Sequence, residues 1–161
     1  MTAAQLLDKM ADLESRIALI YERFATKFRD AHYVGELWDS MGREELHHAD
    51  LLARLGRSID ATLGDGRLEQ HVHELEGTVL RYEGEQAQIA HLQEALEATA
   101  DLEEAEAEHL HAPLQELGES GRALAANPAF QHQTHGLLDH AIKLYGTVAL
   151  RQRRAWHRFQ R

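Results

Sequence analysis

Trp38, Met41, Glu45, His48, Leu52 and Leu55 follow one another at steps of three and four residues, which places them on one face of an α-helix. Four are bulky and apolar, so the face points into a core, yet Glu45 and His48 stand in its middle. A buried carboxylate or imidazole is costly unless it is paired, hydrogen-bonded or coordinated to a metal. Whatever fold this chain adopts must therefore deliver partners to that face. A Glu-x-x-His step on an inward helix face is one way that four-helix bundles hold a metal.

The rest of the composition narrows the choice. With 161 residues the chain is one domain of ordinary size, and with no cysteine it forms no disulfide, thiolate-ligated zinc site, rubredoxin-type iron site or iron–sulfur cluster. Two prolines and abundant Ala, Leu, Glu, Gln and His predict mostly helix; valine and isoleucine are scarce and no alternating strand pattern occurs. The first residues lack the basic and apolar regions of a signal peptide, and no apolar run approaches the ~18 residues of a membrane span. The reading is a soluble cytoplasmic protein without membrane contact. A net charge of −10 argues against nucleic acid as a partner. Arg151, Arg153, Arg154, Arg158 and Arg161 form a basic tail, read as favouring a helix C-terminus and solvent. A contact with a partner subunit or an anionic surface is the alternative.

Periodicity predicts a first helix from Thr2, its N-cap, to about Asp30, with the stripe Leu6, Met10, Leu13, Ile17, Tyr21, Phe24 and Phe28. A turn at residues 31–33 leads into a second helix over about Val34–Leu55, stopped by Gly56. The stretch Gly56–Gly66 reads as a loop, and Leu68–Tyr82 as a polar helix carrying His71 and His73. Another helix is predicted from about Glu85 to Leu117, kinked or stopped by Pro113, with a loop over GESGRALAANP. The last helix is predicted from about Pro128 to Phe159, with the stripe Phe130, Leu137, His140, Leu144 and Val148. The whole reads as a single domain: a helix hairpin over 1–56, a partly helical crossover over 57–91, a second hairpin over 92–150 and the basic tail over 151–161.

Sliding the chain by 92 residues aligns Glu14 with Glu106, Trp38 with Phe130, His48 with His140 and Leu52 with Leu144. The polar matches fall on apolar faces: Glu14 between Met10 and Ile17, Glu106 between Leu102 and Leu110, His140 between Leu137 and Leu144. Two antiparallel hairpins would bring Glu14, Glu45, His48, Glu106 and His140 to one level of an all-α four-helix bundle. Carboxylate and imidazole donors suit iron, manganese or zinc.

On these residues the chain resembles the rubrerythrin-like branch of the ferritin-like superfamily, without a rubredoxin domain. The carriers are Leu13-Glu14-Ser15 with Tyr21, Phe24 and Ala25, then Trp38 leading to Glu45-Leu46-His47-His48-Ala49. The resemblance implies a ferritin-like four-helix bundle, a two-metal centre that usually holds iron, and activities such as peroxide reduction, dioxygen activation or ferrous iron oxidation. It also implies a tyrosine near the metals, here Tyr21, and pairing into a homodimer. The second Glu-x-x-His of the family would fall at Leu137 and His140, so one bridging carboxylate is missing. His109, where rubrerythrins usually carry a further glutamate, is a replacement ligand; Glu103, one turn before Glu106, is another that can turn inward.

The acidic run 101–108 divides by helical geometry, Glu104 and Glu108 outward, Glu103 and Glu106 inward. His47 is rotated about 100° from His48 and reads as surface. His71, His73, His111, His132 and His135 read as scattered surface histidines. The leading expectation is iron-dependent redox chemistry with one or two ions, O2 or peroxide and an external electron donor. The rivals are a non-catalytic bundle with a single zinc or iron ion, and a metal-free helical interaction module. No nucleotide-binding glycine pattern and no nucleophile–base pair is present.

Overall fold

The computed structural model describes residues 1–31, 33–59, 66–131 and 134–159, with side chains through residue 155. Among these residues every regular element is helical and none is a strand. Helix α1 spans Ala3–Lys27 and α2 spans Val34–Ser58. Thr2 caps α1: its hydroxyl accepts from the Gln5 backbone N–H at 3.2 Å, and the Gln5 side chain accepts from the Thr2 N–H at 2.9 Å. The stripe expected for α1 is buried from Leu6 to Phe24, with Phe28 packed at its edge. Together α1 and α2 form the most extensive helix–helix contact of the chain. Helix α2 runs through Gly56 rather than stopping there, because Gly56 lies against Ala4 and Leu7 of α1 with room for no more than an ordinary contact.

Helix α3, Gly66–Glu85, packs its buried stripe of Leu68, Val72, Leu75, Val79 and Tyr82 between α1 and the next helix. Two ion pairs hold it to α1, Lys9 to Glu76 at 2.9 Å and Arg16 to Glu83 through both carboxylate oxygens. A short 3-10 turn, Gln86–Gln88, precedes α4 at Leu92–Glu106. Trp38 is buried against Phe24 and Phe28, and its indole N–H donates to Thr99 of α4 at 2.9 Å. That bond ties the first hairpin to α4 beside the inward carboxylates.

The second half departs from the expected hairpin. After Glu106 the backbone opens into a π-helical turn, Ala107–His111, in which Ala112 N–H bonds Ala107 C=O. Pro113 follows in the single turn α5, Ala112–Leu114. A proline ring clashes with the carbonyl four residues back, here His109, and a widened turn relieves that clash without breaking the rod. The segment expected as a loop contains α6, Gly118–Ala126, whose Ala- and Leu-rich end favours helix. Gly121 within it is required, since a Cβ there would sit 2.6 Å from the Leu117 Cβ.

The single last helix is instead a 3-10 turn, Pro128–Phe130, then α7, His135–Tyr145, and α8, Val148–Phe159. The chain breaks at Gly146, where a side chain would meet the Ile142 carbonyl at 2.6 Å. The inward face of α7 is also not the expected one. Leu138, Ala141 and Ile142 are buried, whereas Leu137 and Leu144 are 41% and 52% exposed and His140 faces out with them. Both faces of this helix are apolar, but the expected one carries His140. The buried face carries His135 at its start, and that imidazole is partly buried with Glu103 as its partner, whereas His140 stays in solvent.

Three arginines of the basic tail make contacts within the chain. Arg153 reaches Asp101 at 3.2 Å, Arg154 reaches Asp139 at 3.3 Å, and Arg151 donates to the Ile142 carbonyl at the end of α7. No helix among the described residues is long and apolar enough to cross a membrane. The centre of the Gly56–Gly66 stretch, His132, and the side chains of Arg158 and Arg161 lie outside the described residues.

The Trp38–Thr99 bond gives the first expectation. Thr99→Val keeps the shape but leaves the buried indole N–H without its acceptor, which should cost about 1–3 kcal/mol in urea unfolding. Thr99→Ser should cost less. Equal stability of Thr99→Val and the parent protein would contradict the role assigned to this bond.

Candidate metal centre

Three helices deliver the inward polar groups. Glu14 comes from the middle of α1, Glu45 and His48 from α2, and Glu103 and Glu106 from the end of α4; all five are essentially inaccessible to solvent. The i, i+3 spacing of each α2 and α4 pair sets two ligand-type side chains one above the other on one face. His48 Nδ1 lies 3.0 Å from Glu45 Oε2 and 3.5 Å from Glu14 Oε2.

Two sets of three result. In Glu14, Glu45 and His48, and again in Glu45, Glu103 and Glu106, one potential ligand atom from each residue lies within 4.8 Å of the other two. Glu45 belongs to both. A carboxylate has two oxygens and several lone pairs, so it is the side chain best able to serve two neighbouring cations. Neither Glu14 oxygen has a hydrogen bond of normal geometry, although the residue is fully buried. Such a group is open to a cation, and the all-oxygen and nitrogen donor set suits iron, manganese or zinc.

The surroundings fix the cluster from outside. Tyr21 donates its hydroxyl to Glu103 Oε1 at 2.8 Å, and His135 Nε2 lies 2.9 Å from Glu103 Oε2. Both carboxylate oxygens of Glu103 are thus held by side chains from other elements. Phe130 packs its ring 4.9 Å from that of His48, and His111 stands 4.7 Å from Phe130 and edge-on to His48. These rings close the His48 side of the cluster.

Burial and mutual repulsion dominate the electrostatics. Burial first, then Glu106, Glu14 and Glu103, push the Glu45 carboxyl well above its usual range. Burial, Glu14 and Glu103 do the same to Glu106. Burial would also raise Glu14, but the approach of Glu45 and His48 outweighs it and holds Glu14 low. Burial, followed by the nearby carboxylates of Glu103, Glu106 and Glu45, keeps the Tyr21 phenol protonated. Burial and repulsion thus favour the neutral forms of Glu45 and Glu106 beyond the usual carboxylate range.

The structure brings together four of the six residues singled out in the sequence: Glu14, Glu45, His48 and Glu106. Glu103, the alternative for the missing carboxylate, joins them. His109 and His140 do not. The π turn carries His109 towards α3, where its Nδ1 is 3.1 Å from that of His71, while His140 is exposed with its ring 4.9 Å from Tyr33. Leu137, the mismatch in the repeat, is on the outer face and has no bearing on the cluster. His111 and His135, read as surface residues, approach the site instead. Pro113 was the available signal for the first, since it makes a regular helix through His109 unfavourable. No sequence signal marks the second, which depends on where α7 begins.

A carboxyl that binds its proton more tightly in the folded state contributes full stability below its unfolded value. That contribution drains away as pH rises through the raised value. Glu14 acts in the opposite sense and at lower pH. The metal-free protein, kept in chelator, should therefore lose stability from Glu45 and Glu106 as pH rises from about 5 to about 8. Replacing both by glutamine should flatten that part of the urea-midpoint profile; an identical pH slope in the double variant would contradict the assignment. Comparison of the chain with protein-family models, with curated proteins and with solved structures gives no match, so the chemistry of the cluster rests on its own geometry.

Proposed function

We propose that the buried cluster is a two-metal carboxylate centre and that the protein performs iron-dependent redox chemistry with O2 or peroxide. In this reading the helices form a ferritin-like bundle related to the rubrerythrin-like branch, with α3 as the crossover and a second half reduced to α4 and α7. The observation that carries it is the position of Glu45 in both groups of three. Four buried carboxylates would balance the charge of two divalent ions, with Glu45 the residue common to both groups.

Glu14 and His48 would complete one position with Glu45; Glu103 and Glu106 would complete the other. Iron held by these residues would supply electrons to O2 or peroxide. Tyr21 and His135 orient Glu103, and loss of such outer contacts typically weakens metal binding about 10–100-fold. Phe130, Trp38 and the α1 stripe keep bulk water from the cluster, which strengthens its electrostatics and limits side reactions. With no cysteine for a thiolate iron site in the chain, turnover requires an external electron donor, or ferrous iron is itself the substrate.

One observation favours a second reading. His48 is the single imidazole in the two groups, and Glu14, Glu45 and His48 form the only mixed nitrogen–oxygen set among them. Such a set suits one zinc or iron ion held without catalysis.

Anaerobic Fe(II) titration of tag-free protein, followed by exposure to O2, separates these readings. The two-metal reading expects two irons per chain and prompt O2 consumption. Glu45→Ala should lose both ions, whereas Glu106→Ala should lose one. One tightly held ion with no O2 uptake would establish the single-metal bundle in its place. Normally folded protein that takes up no metal would overturn both and leave a helical interaction module.

A further inference from the structure

We propose that His71 and His109 form a second, exchangeable site for a zinc-type divalent ion, separate from the buried carboxylate cluster. Their Nδ1 atoms are 3.1 Å apart. Two nitrogens bound to one tetrahedral zinc at ~2.0–2.1 Å are separated by about 3.3 Å, so the pair already stands close to that edge. Imidazole nitrogen is the donor preferred by zinc, copper and nickel, in contrast to the oxygen-rich cluster.

The two rings are positioned rather than loose. His71 lies on α3 three residues after Leu68 and four before Leu75, and both leucines are buried. His109 sits in the π turn beside fully buried Leu110, and its side chain is only 19% exposed. Its distal nitrogen faces the Glu108 carboxylate at 3.8 Å. In the metal-free pair a single proton shared between the two Nδ1 atoms does what the ion would do.

Two protein ligands leave the remaining positions to water, which makes the site one of exchange rather than permanent structure. Occupancy would cross-link α3 to the π turn directly after Glu106. The site is independent of the two-metal reading, because it shares no ligand with the buried cluster.

The test is Zn2+ titration of tag-free Glu45→Gln protein against a chromophoric competitor, with His71→Ala, His109→Ala or His47→Ala added. One equivalent of Zn2+ should persist in the Glu45→Gln parent. His71→Ala and His109→Ala should each weaken it by about tenfold or more, and exposed His47 should not matter. Binding unchanged by either of the first two would overturn the proposal. Imidazole NMR of the Glu45→Gln protein reads the same question without a histidine variant: one equivalent of Zn2+ should shift the His71 and His109 rings together. Shifts confined to other histidines would also overturn it.

Discussion

Four carboxylates buried around Glu45 set the terms for the rest of this structure. Like charges in a low-dielectric interior repel strongly, and their desolvation is not offset by burying leucine nearby. Something positive has to enter, as protons or as metal ions. The raised Glu45 and Glu106 carboxyls describe the first solution. The two groups of three that share Glu45 describe room for the second. In the proposed reading, ion binding would compete with those protons.

The helices serve that cluster by making its backbone rigid. Glu14, Glu45 and His48 sit on the two longest helices, in the middle of stripes otherwise built from large apolar side chains. Glu103 and Glu106 sit just before the π turn, where the helix changes pitch. That turn has two consequences. It brings His111 to the Phe130 and His48 rings, and it diverts His109 to His71. One proline, through its clash with a carbonyl, thereby decides which histidines face the buried site and which face α3.

The first half was legible because each of its signals agreed with the others. Thr2 with Gln5, the stripe from Leu6 to Phe28, and the paired Trp38–Leu52 face all describe helices whose apolar sides meet, and the polar exceptions on those sides marked the site. The division of the acidic run was legible in part: Glu103 and Glu106 are buried and Glu108 is exposed, but Glu104, read as outward, is only partly exposed and has a buried Oε1. The second half was not, because α7 offers two apolar faces. The repeat chose the face with His140, and packing chose the face without it. The 3-10 turn at Pro128–Phe130, the start of α7 at His135 and the break at Gly146 then undid the register that the repeat assumed. His135 holds Glu103 through a tertiary contact that no local pattern encodes.

The central claim is that one carboxylate serves two ions. A crystal structure of iron-loaded protein, with anomalous data collected on either side of the iron edge, reads this directly. Two iron peaks are expected, one among Glu14, Glu45 and His48 and the other among Glu45, Glu103 and Glu106, with a Glu45 oxygen bound to each. A folded protein whose iron lies elsewhere, or whose Glu45 contacts no ion, would contradict it.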